Sequence, residues 1–100
     1  MQQDERKILI AQITARPGHE SDVQAVLAEY GKYVRKEPGN EIFECYWAED
    51  NPRHFIVYEI YTNEAAFKAH LGAIENAEVN SKLASLTDGG SSLTFLKSFD

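Results

Sequence analysis

The chain has 100 residues, 43% of them hydrophobic and 11% aromatic, which supports one globular core, leaves no room for two and excludes intrinsic disorder. Ten Lys and Arg against sixteen Asp and Glu give a formal net charge of −6, which argues against nucleic acid and against a polybasic membrane anchor, since both need clustered cations. No apolar run approaches the roughly 20 residues that span a bilayer.

Residues 1–7 (MQQDERK) are polar and show no apolar secretory segment or small-residue cleavage site, so a cytoplasmic protein is expected. Lys7 to Ala15, KILIAQITA, is β-branched and closes at the Arg16-Pro17-Gly18 turn, which predicts a first strand. Ile8 and Ile10 fall on one face and Leu9, Ala11 and Ile13 on the other, as in a strand buried on both sides. His19 to about Lys36 predicts a helix, with Val23, Val26, Leu27, Tyr30 and Val34 on one stripe. Glu20 and Asp22 suit its positive end, and Arg35 and Lys36 its negative end. Gly31 inside it costs about 1 kcal/mol relative to Ala, so a close neighbour is expected there. Pro38-Gly39 ends it.

Asn40 to Glu49 predicts a second strand, with Phe43, Cys45 and Trp47 on one face and Ile42, Glu44, Tyr46 and Ala48 on the other. Cys45 has no second cysteine to pair with; a buried, small hydrophobe in a reducing compartment is expected. Asp50 to Arg53 reads as a turn, and His54 to Tyr61 as the third strand, so the two strands form a hairpin. Thr62 or Asn63 caps a second helix that runs to Gly72, with Ala66, Phe67, His70 and Leu71 on one face. Glu75 to about Leu86 continues helical, Thr87-Asp88-Gly89-Gly90 is a turn, and Ser92 to Phe99 is the last strand. The order βαββαβ predicts a ferredoxin-like α+β sandwich, one domain over residues 1–100 with its core at about 7–99: an antiparallel sheet with helices on one face. The other sheet face is also apolar and has no element left to cover it. A second copy of the chain, sheet against sheet, is the economical cover, so a homodimer is expected.

KILIAQITARPG (7–18), Glu37-Pro38-Gly39, DNPR (50–53), FIVYEIY (55–61) and NEAAFKAHL (63–71) resemble the antibiotic biosynthesis monooxygenase family, from about Lys7 to about Leu86. The resemblance implies a dimeric α+β barrel. It also implies direct reaction of a deprotonated phenol or hydroquinone with dioxygen, without metal or flavin, in a cleft between sheet and helices. The expected substrate is quinol-like or a polycyclic phenol, and no cofactor is expected. Such chemistry needs a base, donors for an oxyanion and an apolar pocket. His70 is the candidate base, a position the family's matching helix commonly fills with His. Tyr46, Trp47, Tyr58 and Tyr61 are candidate donors. Phe43, Phe55, Phe67 and Leu71 are candidate walls, and Glu59, a carboxylate between apolar neighbours, is a candidate site residue or a partner for a cation of the second subunit. His19 and His54 stand at turn edges, where a solvated role is expected. Tyr61 stands where family members often carry Trp. Haem breakdown is disfavoured, because Gln12 stands in place of a first-strand Asn and 75–86 contains no His. Two other readings remain: a non-catalytic dimeric module that binds a small apolar metabolite, and an isomerase or lyase that uses His70 as a proton shuttle.

Overall fold

The described residues, 5–100 of the computed structural model, form β1 (Lys7–Ala15), α1 (Glu20–Val34), β2 (Asn40–Ala48), β3 (Asn51–Tyr61), α2 (Glu64–Leu71), α3 (Ile74–Leu86) and β4 (Thr87–Leu96). Residues 1–4, the start of the polar lead-in read above, lie outside the described residues. The four strands make one antiparallel sheet in the order β2-β3-β1-β4. This is the ferredoxin-like arrangement, with the second helical layer divided into α2 and α3. No helix among the described residues is long and apolar enough to cross a membrane.

Alternation along the strands decides which side is covered. Leu9, Ala11, Ile13, Phe43, Phe55, Val57 and Tyr61 are buried toward the helices, where they meet Val23, Leu27 and Val34 of α1, Phe67 of α2, and Val79 and Leu83 of α3. Burial of apolar area at roughly 25 cal/mol per Å² drives this packing. The opposite face carries Ile8, Ile10, Ile42, Ile56, Tyr58 and Ile60, with Tyr46 and Leu96 exposed beside them. No helix of the described residues lies over it.

Local chemistry explains the boundaries. Asn63 caps α2, its Oδ1 accepting from the Ala66 N–H at 2.9 Å. The close neighbour expected at Gly31 is the guanidinium of Arg35, which a Cβ there would touch at 3.0 Å. Gly72 ends α2 with a right-handed φ of −83°, not in the left-handed cap conformation.

Four expectations are corrected. β3 begins at Asn51 inside the expected turn, leaving only Glu49-Asp50 between the strands, and the ladder shifts register between Trp47 and Ala48 to absorb Pro52. β4 begins at Thr87, not Ser92: Gly89 and Gly90 adopt φ of +83° and +72°, and the ladder shifts between Ile13 and Ala15. Glycines that read as a turn are thus used as an irregularity within a strand. The same strand stops at Leu96, so Phe99 is exposed and not part of the alternation. Cys45 is exposed, not buried, because it faces the margin of the sheet beside α1 at the edge strand. Its thiol is nonetheless pushed up, chiefly by loss of hydration against its neighbours.

Candidate active site

Gly39 brings the α1–β2 turn against α2. A Cβ on Gly39 would collide with the Cβ of Ala66, so only glycine permits this approach. Four residues after Ala66, on the same helical face, stands His70. The close approach therefore delivers Glu37, two residues before Gly39, to the imidazole: Glu37 Oε1 lies 2.8 Å from His70 Nδ1. His70 is buried, at 5% exposure, and sits among rings. Its centroid is 4.8 Å from Tyr61, 5.9 Å from Tyr30 and 6.3 Å from Phe67.

A carboxylate only accepts, so the 2.8 Å contact places a proton on Nδ1. Nε2 is the second ring nitrogen. It faces the Tyr30 hydroxyl at 3.4 Å, a long contact, and Glu59 Oε1 at 3.9 Å. The Tyr30 oxygen accepts from Asn76 Nδ2 at 2.9 Å, and burial pushes its ionisation up, so it remains an O–H donor. Glu59 is 6% exposed and accepts from the Tyr61 hydroxyl at 2.7 Å. Burial raises the Glu59 carboxyl above the usual range, opposed by the Tyr61 hydrogen bond and by His70. Burial and the neighbouring Glu59 push Tyr61 up as well, so Tyr61 stays a donor.

His70, Glu59, Tyr30 and Asn76 of this cluster, but not Tyr61 or Glu37, open onto a cavity of about 100 Å³ between the sheet and the helices. His70, Glu59, Tyr30, Asn76 and Phe67 line it, and Leu9, Ala11, Phe43, Val57, Val79 and Leu83 complete the apolar wall. Leu71 and Leu93, 46% and 43% exposed, stand at its mouth. The volume is below the ~150 Å³ of a dry cavity that accepts benzene, so an aromatic ring enters only if the walls give or the open mouth takes part of it.

The structure brings His70, Glu59, Tyr61 and Phe67 together. It separates the other three candidates from them. Tyr58 and Tyr46 stand on the helix-free sheet face, opposite Ile10 and Ile56 in register, because strand parity sends even-numbered side chains of β2 and β3 away from the helices. Tyr46 is 53% exposed and donates to Glu44 Oε1 at 2.9 Å. Trp47 is on the helix side but at the outer edge of the sheet, half exposed, in a separate groove with Cys45, Phe55, Leu27 and Arg35. Neither Tyr46, Tyr58 nor Trp47 lines the His70 cavity. Of the expected walls, Phe55 is likewise absent from its lining. His54 contacts Gln12 Oε1 at 3.1 Å on the helix-free face, and His19 contacts Asp22 at 2.9 Å.

Three residues of the cluster carried no functional signal in the sequence. Glu37 stood in the Glu37-Pro38-Gly39 segment of the resemblance without an assigned role, Tyr30 read as one more member of an apolar stripe, and Asn76 as part of a helical stretch. The hydroxyl of Tyr30 inside that stripe was the one available hint. Among the described residues, no group of three His, Cys, Asp or Glu side chains is arranged to hold a metal ion.

The family model for antibiotic biosynthesis monooxygenase matches residues 7–76. No curated protein matches the chain. Solved structures share the fold over nearly its whole length. PA3566 of Pseudomonas aeruginosa superposes with a TM-score of 0.89, covering 100% of both chains at 20% identity. Rv0793 of Mycobacterium tuberculosis gives 0.87 at 22% identity, covering 95% of this chain and 96% of that one. SnoaB of Streptomyces nogalater, a cofactor-independent oxygenase, gives 0.85 at 14% identity over 96% of this chain and 95% of its own.

Proposed function

Because the chain belongs to the antibiotic biosynthesis monooxygenase family, we propose that it is a cofactor-independent monooxygenase whose substrate is a quinol-like phenol bound in the His70 cavity. One observation carries this reading: the Glu37 carboxylate holds Nδ1 of a buried imidazole at 2.8 Å and leaves Nε2 toward Tyr30 and Glu59, which line the cavity with His70. That is a base within reach of a substrate hydroxyl.

In the proposed reaction the phenol gives its O–H proton to Nε2. The resulting phenolate donates electrons to dioxygen through a hydrogen-bearing ring carbon, ortho or para to its oxygen, and a C–O bond forms there. Loss of the proton on that carbon and cleavage of the O–O bond give a quinone and one water: a phenol becomes its quinone, and a hydroquinone becomes a hydroxyquinone. One atom of dioxygen enters the product and the other leaves as water, so substrate plus dioxygen balances product plus water. Tyr30 O–H and Asn76 N–H are the donors placed to stabilise the developing oxyanion. The apolar wall excludes the water that would quench reduced oxygen.

The same reading includes a homodimer through the helix-free sheet face and β4, supported by the row of Ile8, Ile10, Ile42, Ile56, Tyr58 and Ile60 on that face. It also includes a cytoplasmic setting. The isomerase reading remains the alternative, since an imidazole at 3.9 Å from a second carboxyl group also suits proton removal and return without oxygen.

The test is turnover of monocyclic hydroquinones and phenols under labelled dioxygen. One labelled oxygen in the quinone, with water as the other product, is expected. Peroxide in place of water makes the protein an oxidase, and oxygen-independent rearrangement selects the isomerase.

A further inference from the structure

The His70 cavity has a one-sided charge inventory. Glu59 is in its wall, and Glu37 stands directly behind His70. Among the described residues no Lys or Arg lines it. Two cations stand beyond the walls and are engaged there. Lys7 Nζ lies 5.9 Å from the Phe67 ring centroid, 4.5 Å from that of Phe95, and 3.0 Å from Glu64 Oε2. Arg35 lies 5.8 Å from the Phe43 ring centroid, and its Nε donates to the Phe43 carbonyl at 3.0 Å. The rest of the lining is apolar except for the neutral Tyr30, Asn76, Asn80 and Ser91.

An anionic ligand entering this space loses its hydration, finds no Lys or Arg, meets an imidazole already engaged by Glu37, and faces Glu59. An uncharged phenol brings its own proton. Transfer of that proton to His70 leaves a phenolate beside an imidazolium that Glu37 already holds, and the net charge of the cavity does not change. We propose that the cavity discriminates between rings by charge, and that Glu59 is the residue that turns away carboxylated or phosphorylated ones. The proposal rests on the His70 cavity being the substrate site and is independent of the oxygen step.

Anaerobic calorimetric titration separates the two. The probes are methylhydroquinone and 2,5-dihydroxybenzoate, which share a ring size and differ in charge. The uncharged probe should bind at least roughly tenfold more tightly. Glu59→Gln should narrow that ratio by strengthening the carboxylated probe. Leu93→Lys, a change at the exposed mouth that leaves Glu59 in place, should do the same. Equal or tighter binding of the carboxylated probe to the unaltered protein, no binding of either, or an unchanged ratio in both variants overturns the proposal. Preferential binding of the uncharged probe with no oxygen consumed in air leaves the selection standing and removes the monooxygenase reading instead.

Discussion

Glu37 Oε1 and His70 Nδ1 meet at 2.8 Å across 33 residues of sequence. The contact joins the turn after α1 to the last turn of α2, and it fixes both the tautomer and the rotation of the imidazole. Glu37→Gln removes the fixed acceptor and lets the amide present either end. Turnover should fall by on the order of 10²–10⁴-fold, with KM for a hydroquinone nearly unchanged. Glu37→Asp should recover part of it. Steady-state kinetics on the two variants checks this, and a rise in KM alone would assign Glu37 to binding.

Glu59 gives a prediction about stability rather than rate. Its folded-state carboxyl is raised, first by burial. The folded state thus holds the proton more tightly than the unfolded state. That contribution is fully present at acid pH and is lost as pH rises through the raised value. Glu59→Gln keeps the acceptor for Tyr61 and abolishes the titration. The variant should therefore be more stable than the parent at pH 7, and the advantage should disappear below about pH 4.5. Denaturant unfolding across that window measures it.

The approach of Gly39 to Ala66 is the hinge on which the site depends. Gly39→Ala forces the α1–β2 turn and α2 apart, since the new methyl would overlap that of Ala66. A cost of about 1–3 kcal/mol is expected from overpacking, accompanied by lost activity because Glu37 and His70 separate. Gly39→Ala combined with Ala66→Gly frees the space and should restore much of both. Thermal unfolding and turnover on the single and double variants test the coupling.

The helix-free sheet face predicts assembly. Sedimentation at micromolar concentration should give twice the 11.3 kDa chain mass. Tyr58→Glu, which puts a charge in the middle of that face, should dissociate it without unfolding. A stable monomer of the unaltered protein at that concentration would contradict the dimer.

Alternation and punctuation made most of the fold readable. KILIAQITA gives β1 with its two faces, and the apolar stripe of α1 has the spacing its burial requires. The boundaries of β4 were not readable, because a Gly-Gly pair signals a turn, while here the neighbouring β1 pairs with the residues on both sides of it. The site was legible only in part. Parity along β2 and β3 was already in the sequence, and it places Tyr46 and Tyr58 on the face opposite Glu59 and Tyr61. Glu37 stood in a segment of the resemblance, but its role was illegible, since that role arises from a long-range contact that one glycine and one alanine make possible. The cavity volume likewise depends on how far α2 and α3 stand from the sheet, a quantity no local pattern encodes.

The central claim, that His70 is the base of a cavity-bound reaction, is tested most directly by His70→Gln, with oxygen consumption and thermal midpoint measured on the same preparation. Loss of the base should lower turnover of a monocyclic hydroquinone by roughly two to four orders of magnitude with the fold intact. Full activity with a lowered midpoint would show that His70 only supports the end of α2, and would contradict the account.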